Sequence, residues 1–289
     1  MAFDYQTILN WPIPESVQEY SARDTILYAL GVGAVTTNPP LPEDLKFVYE
    51  NGLQALPTMQ AVLAPGPFWM ADPKTGINVG KLLHGEQFLT LHKPLPAQGR
   101  VVTTSRVDEV YDKGPDKGAV MYLSRRIVDA DTGDLLSTVG FSCFLRGNGG
   151  FGGQSEGAPV PHRIPDDRPP DASLDLLTRP EQAAIYRLSG DLNPLHIDPR
   201  VSALGGFDRP ILHGMCSYGV AGRAVLRLLC GNDPARLRRL DVRFATPVYP
   251  GETLRTEIWR ESDGRAAFRV RVVERDVIAL NNGYAEFLA

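Results

Sequence analysis

Apolar and polar positions alternate over long stretches at the end of each half of the chain. In the first half they run through AVMYLSRRIVDA (119–130) and DLLSTVGFSCFLRG (134–147), and in the second through AAFRVRVVERD (266–276) and VIALNNGYAEFLA (277–289). A period of two over this length predicts long half-buried strands, joined in each half as an antiparallel meander. LLHGEQFLTL (82–91) reads as another strand. ILHGMCSYGVAGRAVLRLL, Ile211 to Leu229, is instead apolar at helical spacing and predicts a helix of about five turns whose first turn holds His213 and Gly214. The first-half counterpart is expected near PTMQAVLA, Pro57 to Ala64.

The same order of signals occurs twice. HKPLPAQGRVVTTSRV (92–107) and FATPVYPGETLRTEIW (244–259) each read as a strand, a proline-containing turn closing on glycine, and a second strand. Between the copies, GNGGFGGQSEGAPVPHRIPDDRPP (147–170) is dense in Gly, Pro and Asp with little apolar periodicity, as a linker is. The expected organisation is therefore a repeat over 1–150, a linker over 151–170 and a second repeat over 171–289. A central helix wrapped by a curved antiparallel sheet, present twice, is a double hotdog in the α+β class. The small residues of the long helix (Gly214, Ser217, Gly219, Ala221, Gly222, Ala224) fit close packing against a sheet. The shared register sets Asp24 near Asp191 and Ala29 opposite His196, so the first repeat lacks the polar set of the second. LLHG (82–85) and ILHG (211–214) fall out of that register, and their likeness reads as coincidence.

With 289 residues, 43% hydrophobic and 22% charged, the chain is long enough for two ordinary domains. Its net charge of −4 and lack of a sustained basic block argue against a nucleic-acid surface. No apolar stretch approaches the roughly 18 residues needed to span a bilayer, and neither MAFDYQTILNWPIPES nor the final EFLA reads as a targeting signal. A cytoplasmic location is the expectation. Cys143, Cys216 and Cys230 have no metal-ligand spacing and read as reduced thiols, with no metal site expected.

Chemistry concentrates in YRLSGDLNPLHIDP, Tyr186 to Pro199, where Asp191, Asn193 and His196 lie within six residues. A carboxylate and an imidazole that close can share the protons of one water. Gly-Asp-x-Asn-Pro is also ordinary turn chemistry. The helix start at Gly214 adds free amides suited to a developing oxyanion. Asp198, before Pro199, reads as a turn or helix cap, His213 as a buried histidine at the helix start, and Tyr186 as core. No GxSxG elbow surrounds Ser189.

These residues resemble the type 2 enoyl-CoA hydratases among the MaoC-like dehydratases, a family that includes the hydratase portion of peroxisomal multifunctional enzyme type 2. The likeness rests on Tyr186 to Pro199 with PILHGMCSYG after it, and on LLHGEQ, KPLP, GGFGG, DRPPDA (167–172) and RFATPVYPG, covering essentially the whole chain. The resemblance implies reversible syn addition of water to a trans-2-enoyl-CoA, giving a (3R)-3-hydroxyacyl-CoA without metal or redox cofactor, the CoA thioester being substrate. It implies Asp191 and His196 as acid and base, Asn193 as a holder of water, and the Gly214 amide as donor to the thioester oxygen. Lys81, Arg209 and Arg243 are candidate contacts for CoA phosphates, and the first repeat would make room for the acyl chain. A homodimer is expected. A hotdog thioesterase and a non-catalytic acyl-CoA-binding module are the alternatives.

Overall fold

A computed structural model describes residues 3–37 and 39–288. The alternating stretches form strands, in chain order β1 (Ser16–Tyr20), β2 (Leu82–Leu91), β3 (Gly99–Asp112), β4 (Ala119–Asp129), β5 (Leu135–Leu145), β6 (Ala172–Leu177), β7 (Leu237–Phe244), β8 (Thr253–Ser262), β9 (Arg265–Val272) and β10 (Val277–Phe287). They make one ten-stranded sheet in the order β1-β3-β4-β5-β2-β7-β10-β9-β8-β6. Read inward from either end, that order is the same: first, third, fourth, fifth and second strand of a unit. The duplication is thus written in the topology, and the two units join where β2 pairs antiparallel with β7, Leu89 opposite Leu240. This is the α+β double hotdog. The meanders β3-β4-β5 and β8-β9-β10 form as expected, whereas the Pro- and Gly-containing segments 92–98 and 245–252 do not close hairpins. Each carries the chain from the inner edge of its unit to a strand near the outer edge.

Among the described residues six α-helices accompany the sheet: α1 (Tyr5–Leu9), α2 (Ala22–Gly31), α3 (Pro42–Val48), α4 (Gln182–Tyr186), α5 (Pro199–Leu204) and α6 (Gly214–Leu229). α6 is the predicted long helix, and its residues from Cys216 to Leu226 are all buried. It packs on β6, β7, β8 and β10. Its counterpart at Pro57 to Ala64 is not a long helix. The chain makes only a short 3₁₀ turn, Pro57–Ala61, because Pro65, Gly66 and Pro67 follow, two of which have no amide hydrogen to donate. The small residues of α6 also do more than meet the sheet. A Cβ on Gly222 would lie 2.6 Å from Thr58 Cγ2, and one on Gly219 would collide with Val32, so both glycines receive segments of the first unit.

That inter-unit contact is held by polar groups as well. Arg223 Nη1 donates to the Val32 carbonyl (3.1 Å), and Arg227 Nη2 donates to Asp44 (2.6 Å), the Arg223 and Asp44 side chains being almost wholly buried. The Gln182 amide donates to the carbonyls of Leu30 and Gly31. The three cysteines are buried and unpaired.

The repeat register differs from the expectation at one point. β1 ends at Tyr20 and β6 at Leu177, and Leu27-Tyr28 then matches Ile185-Tyr186. Asp24 therefore corresponds to Gln182, and Gly33 is the counterpart of Asp191. Asp24 sits in the first turn of α2, in a capping box with Ser21. The first unit still has no carboxylate or imidazole at the equivalent place.

Residues 146–171 form neither helix nor strand. Their early part is pinned rather than loose: the Asp112 carboxylate accepts from the amides of Gly150 and Gly152, and the Tyr111 hydroxyl donates to the Gly157 carbonyl. Gly222→Val should destabilise the fold by about 1–3 kcal/mol, the usual cost of overpacking a site whose neighbours are buried. Urea unfolding monitored by tryptophan fluorescence reads this directly.

Candidate active site

The Asp191 loop is shaped by its own sequence. After α4 the chain makes a single turn, Arg187–Ser189, and Gly190 at φ 116° occupies a left-handed conformation that a side chain would strain. Asp191 Oδ1 accepts from the Asn193 amide (3.1 Å), and Asn193 Oδ1 caps the next short turn, Pro194–His196, by accepting from Leu195 N (3.0 Å). Asp198 caps α5, accepting from Arg200 N at 2.9 Å. Tyr186 is core, packed against Tyr28 and His213.

His196 and His213 stack face to face, ring centroids 3.8 Å apart. His196 Nδ1 lies 2.9 Å from the Ile211 carbonyl, an acceptor only, so Nδ1 carries the proton and Nε2 presents a lone pair. His213 Nε2 in turn donates to the Asp191 carbonyl at 3.1 Å. Burial lowers the His196 pKa below its ordinary 6.5. Burial, with the adjacent His196, pushes His213 down to about 4. Both rings are therefore neutral at neutral pH. Potential ligand atoms of Asp191, His196 and His213 all lie within 4.8 Å of one another, with Asp191 exposed at the rim and the two rings buried. Among the described residues this is the one such group, and one nitrogen of each ring is already committed, His196 Nδ1 to the Ile211 carbonyl and His213 Nε2 to the Asp191 carbonyl.

Gly214 follows His213 as the first residue of the 16-residue α6 and is exposed. Its amide has no acceptor among the described residues, as expected for the first turn of a helix. The Phe244 ring lies 3.1 Å from where a Cβ would stand, so glycine leaves the amide approachable.

The basic residues scatter. Lys81 is exposed at the end of the turn Val79–Lys81, just before β2, and Arg209 is exposed over the Tyr249 ring (4.7 Å). Arg243 does not join them. Alternation along β7 places Phe244 toward Gly214 and sends Arg243 to the opposite face, where it lines a recess with Glu86, Asp241 and His162. Two residues outside the expected site also belong to this region: His213, through its bond to the Asp191 carbonyl, and His84, whose ring lies 4.7 Å from that of Phe244. The LLHG and ILHG segments, unrelated by register, both lie against the Phe244 ring.

A neutral imidazole, a carboxylate and a helix-start amide on a double hotdog are parts that a hydro-lyase of the MaoC-like class can use. Comparison with known proteins agrees. Residues 163–282 match the MaoC like domain and residues 18–147 the MFE-2 hydratase 2 N-terminal domain. The chain is 44% identical to 3-hydroxyacyl-thioester dehydratase Y of Mycobacterium tuberculosis, over 94% of each. It is 41% identical to mouse peroxisomal multifunctional enzyme type 2 over 96% of this chain but only 37% of that larger protein. A crystal structure of a MaoC-like dehydratase from Phytophthora capsici superposes with a TM-score of 0.86 at 35% identity, over 98% of both chains. The chain belongs to the type 2 enoyl-CoA hydratase family of MaoC-like dehydratases. No helix among the described residues is long and apolar enough to cross a membrane.

His213→Phe keeps a stacked ring and deletes the donor to the Asp191 carbonyl. The loop carrying Asp191 then loses its register, and kcat should fall on the order of 10²-fold with the melting temperature nearly unchanged, as misplacement of a reacting group costs.

Proposed function

We propose that the protein catalyses the reversible syn hydration of a trans-2-enoyl-CoA to a (3R)-3-hydroxyacyl-CoA. The observation that carries this reading is the Asp191 carboxylate and the His196 imidazole close enough to hold one water, beside the exposed Gly214 amide. Water oxygen bonds to C3 of the enoyl group as the water gives up a proton to one of the pair. The C2–C3 π electrons move toward the thioester oxygen, where the Gly214 amide and the α6 dipole stabilise the negative charge. Collapse of that enolate takes a proton at C2, and one water supplying both parts from one side accounts for syn addition. Asp191 and His196 divide the two proton transfers, and Asn193, whose side chain shapes the loop between them, helps keep the water in place.

The thioester enters as substrate, and no metal or redox group is needed for these steps. Lys81 and Arg209, both exposed, are the cations proposed for the CoA phosphates. The acyl chain is assigned to the first unit, in which a 3₁₀ turn stands where the second unit has a 16-residue helix.

Mixing the protein with crotonyl-CoA and with a medium-chain trans-2-enoyl-CoA should abolish the conjugated thioester absorbance, and chiral analysis should return the (3R) alcohol. Release of free CoA thiol would sink the hydratase reading in favour of a thioesterase, and tight binding without turnover would leave only a binding module. Asp191→Asn and His196→Ala should each fold normally and lose activity by at least about 10²-fold, the usual contribution of a positioned acid or base. Asp24→Asn should retain activity. Because His196 is lowered below 6.5, its neutral form persists as pH falls to that value. The acid limb of kcat/KM in the hydration direction should therefore lie below pH 6.5.

A further inference from the structure

β2 pairs with β5 in one register up to His84, opposite Cys143, and resumes at Glu86, opposite Ser142, so that Gly85 is an extra residue, a β-bulge. The bulge has a consequence for direction. Without it His84 and Glu86, two apart, would share a face. With it, Glu86 turns to the outer face, where Tyr122 and Ser142 donate to its carboxylate, and His84 turns to the inner face between Phe141 (5.8 Å) and Phe244 (4.7 Å). Only glycine permits this, since a Cβ at position 85 would stand 2.8 Å from Ser142 Oγ and 3.0 Å from the Phe144 ring.

The ring so placed is specific in what it offers. Its Nε2 lies 3.0 Å from the Glu86 carbonyl and must carry the proton, so Nδ1 is a lone-pair acceptor with no partner among the described residues. The packing around the ring lowers its pKa below the ordinary histidine value, while the residue remains exposed to solvent. From the Gly214 amide, the Phe244 ring leads directly to His84. Beyond His84, at the turn just before β2, Lys81 is exposed to solvent.

A thioester whose oxygen is on Gly214 has a sulfur and a two-carbon arm before its first amide, placing that nitrogen roughly 5 Å from the thioester carbon by ordinary bond lengths. Resting on the thioester reading above, we propose that His84 Nδ1 accepts a hydrogen bond from the first amide N–H of the pantetheine arm, so that the first unit supplies a carrier-binding residue to the site of the second.

The test separates this from the reaction itself. Wild-type kcat/KM is measured on the crotonyl thioester of N-acetylcysteamine, which keeps the amide, and on a crotonyl S-alkyl thioester of equal length, which lacks it. The same ratio is then measured for His84→Asn and His84→Leu, near-isosteres of which only Asn retains an acceptor, with melting temperatures recorded alongside. The wild type should favour the amide by about 10-fold, in keeping with one net hydrogen bond. His84→Asn should keep most of that preference, and His84→Leu should reduce the ratio to near one. A wild type active on both thioesters with equal efficiency, or a His84→Leu that keeps the full preference, overturns the proposal and leaves the hydratase reading intact. A wild type inactive on every enoyl thioester, CoA esters included, removes both.

Discussion

Burial of α6 is the constraint on which the rest of the structure depends. Its side chains from Cys216 to Leu226 leave water together, so the helix has little freedom to slide or rotate without exposing apolar surface or opening a void. Its N-terminus is thereby fixed in space, and with it His213 and the Gly214 amide. Precise placement of the proposed oxyanion donor needs a rigid support, and the central position of the helix provides one.

The first unit is part of that support. Gly219 and Gly222 let Val32 and Thr58 approach the helix backbone, while Arg223 and Arg227 meet the Val32 carbonyl and Asp44. A guanidinium as buried as that of Arg223 requires acceptors, and in this chain they come from the other unit. The second unit therefore carries the polar site without being self-sufficient. The continuous sheet across β2 and β7 has the same effect, since each unit closes the inner edge of the other.

The electrostatics of the site follow from packing. Two imidazoles stacked at 3.8 Å in a buried place favour neutrality, because a charge on either would be poorly solvated and a charge on both would repel. Each is then free to use its two nitrogens differently, one as donor to a carbonyl and the other as a lone pair. His196 keeps Nε2 as a lone pair, and His213 spends its donor on the carbonyl of the Asp191 loop.

What the sequence by itself determined was local. Period-two alternation marked the meanders, the apolar helical run marked α6, and the Gly-Asp-x-Asn-Pro-x-His string marked a shaped loop, because each is set by residues near one another along the chain. Turn and cap chemistry at Asn193 and Asp198 was legible for the same reason. What only the tertiary structure decided was facing and proximity across the fold. Arg243 was a plausible phosphate contact until the pairing of β7 sent it to the outer face. His84 and Gly85 looked like a chance echo of His213 and Gly214 until a bulge, visible only in the register of β2 against β5, turned the ring toward Phe244. Strand alternation assigns two faces but not which is inward, and one inserted residue exchanges them. That choice belongs to the partner strands and to the helix they enclose, not to the segment that carries the side chain.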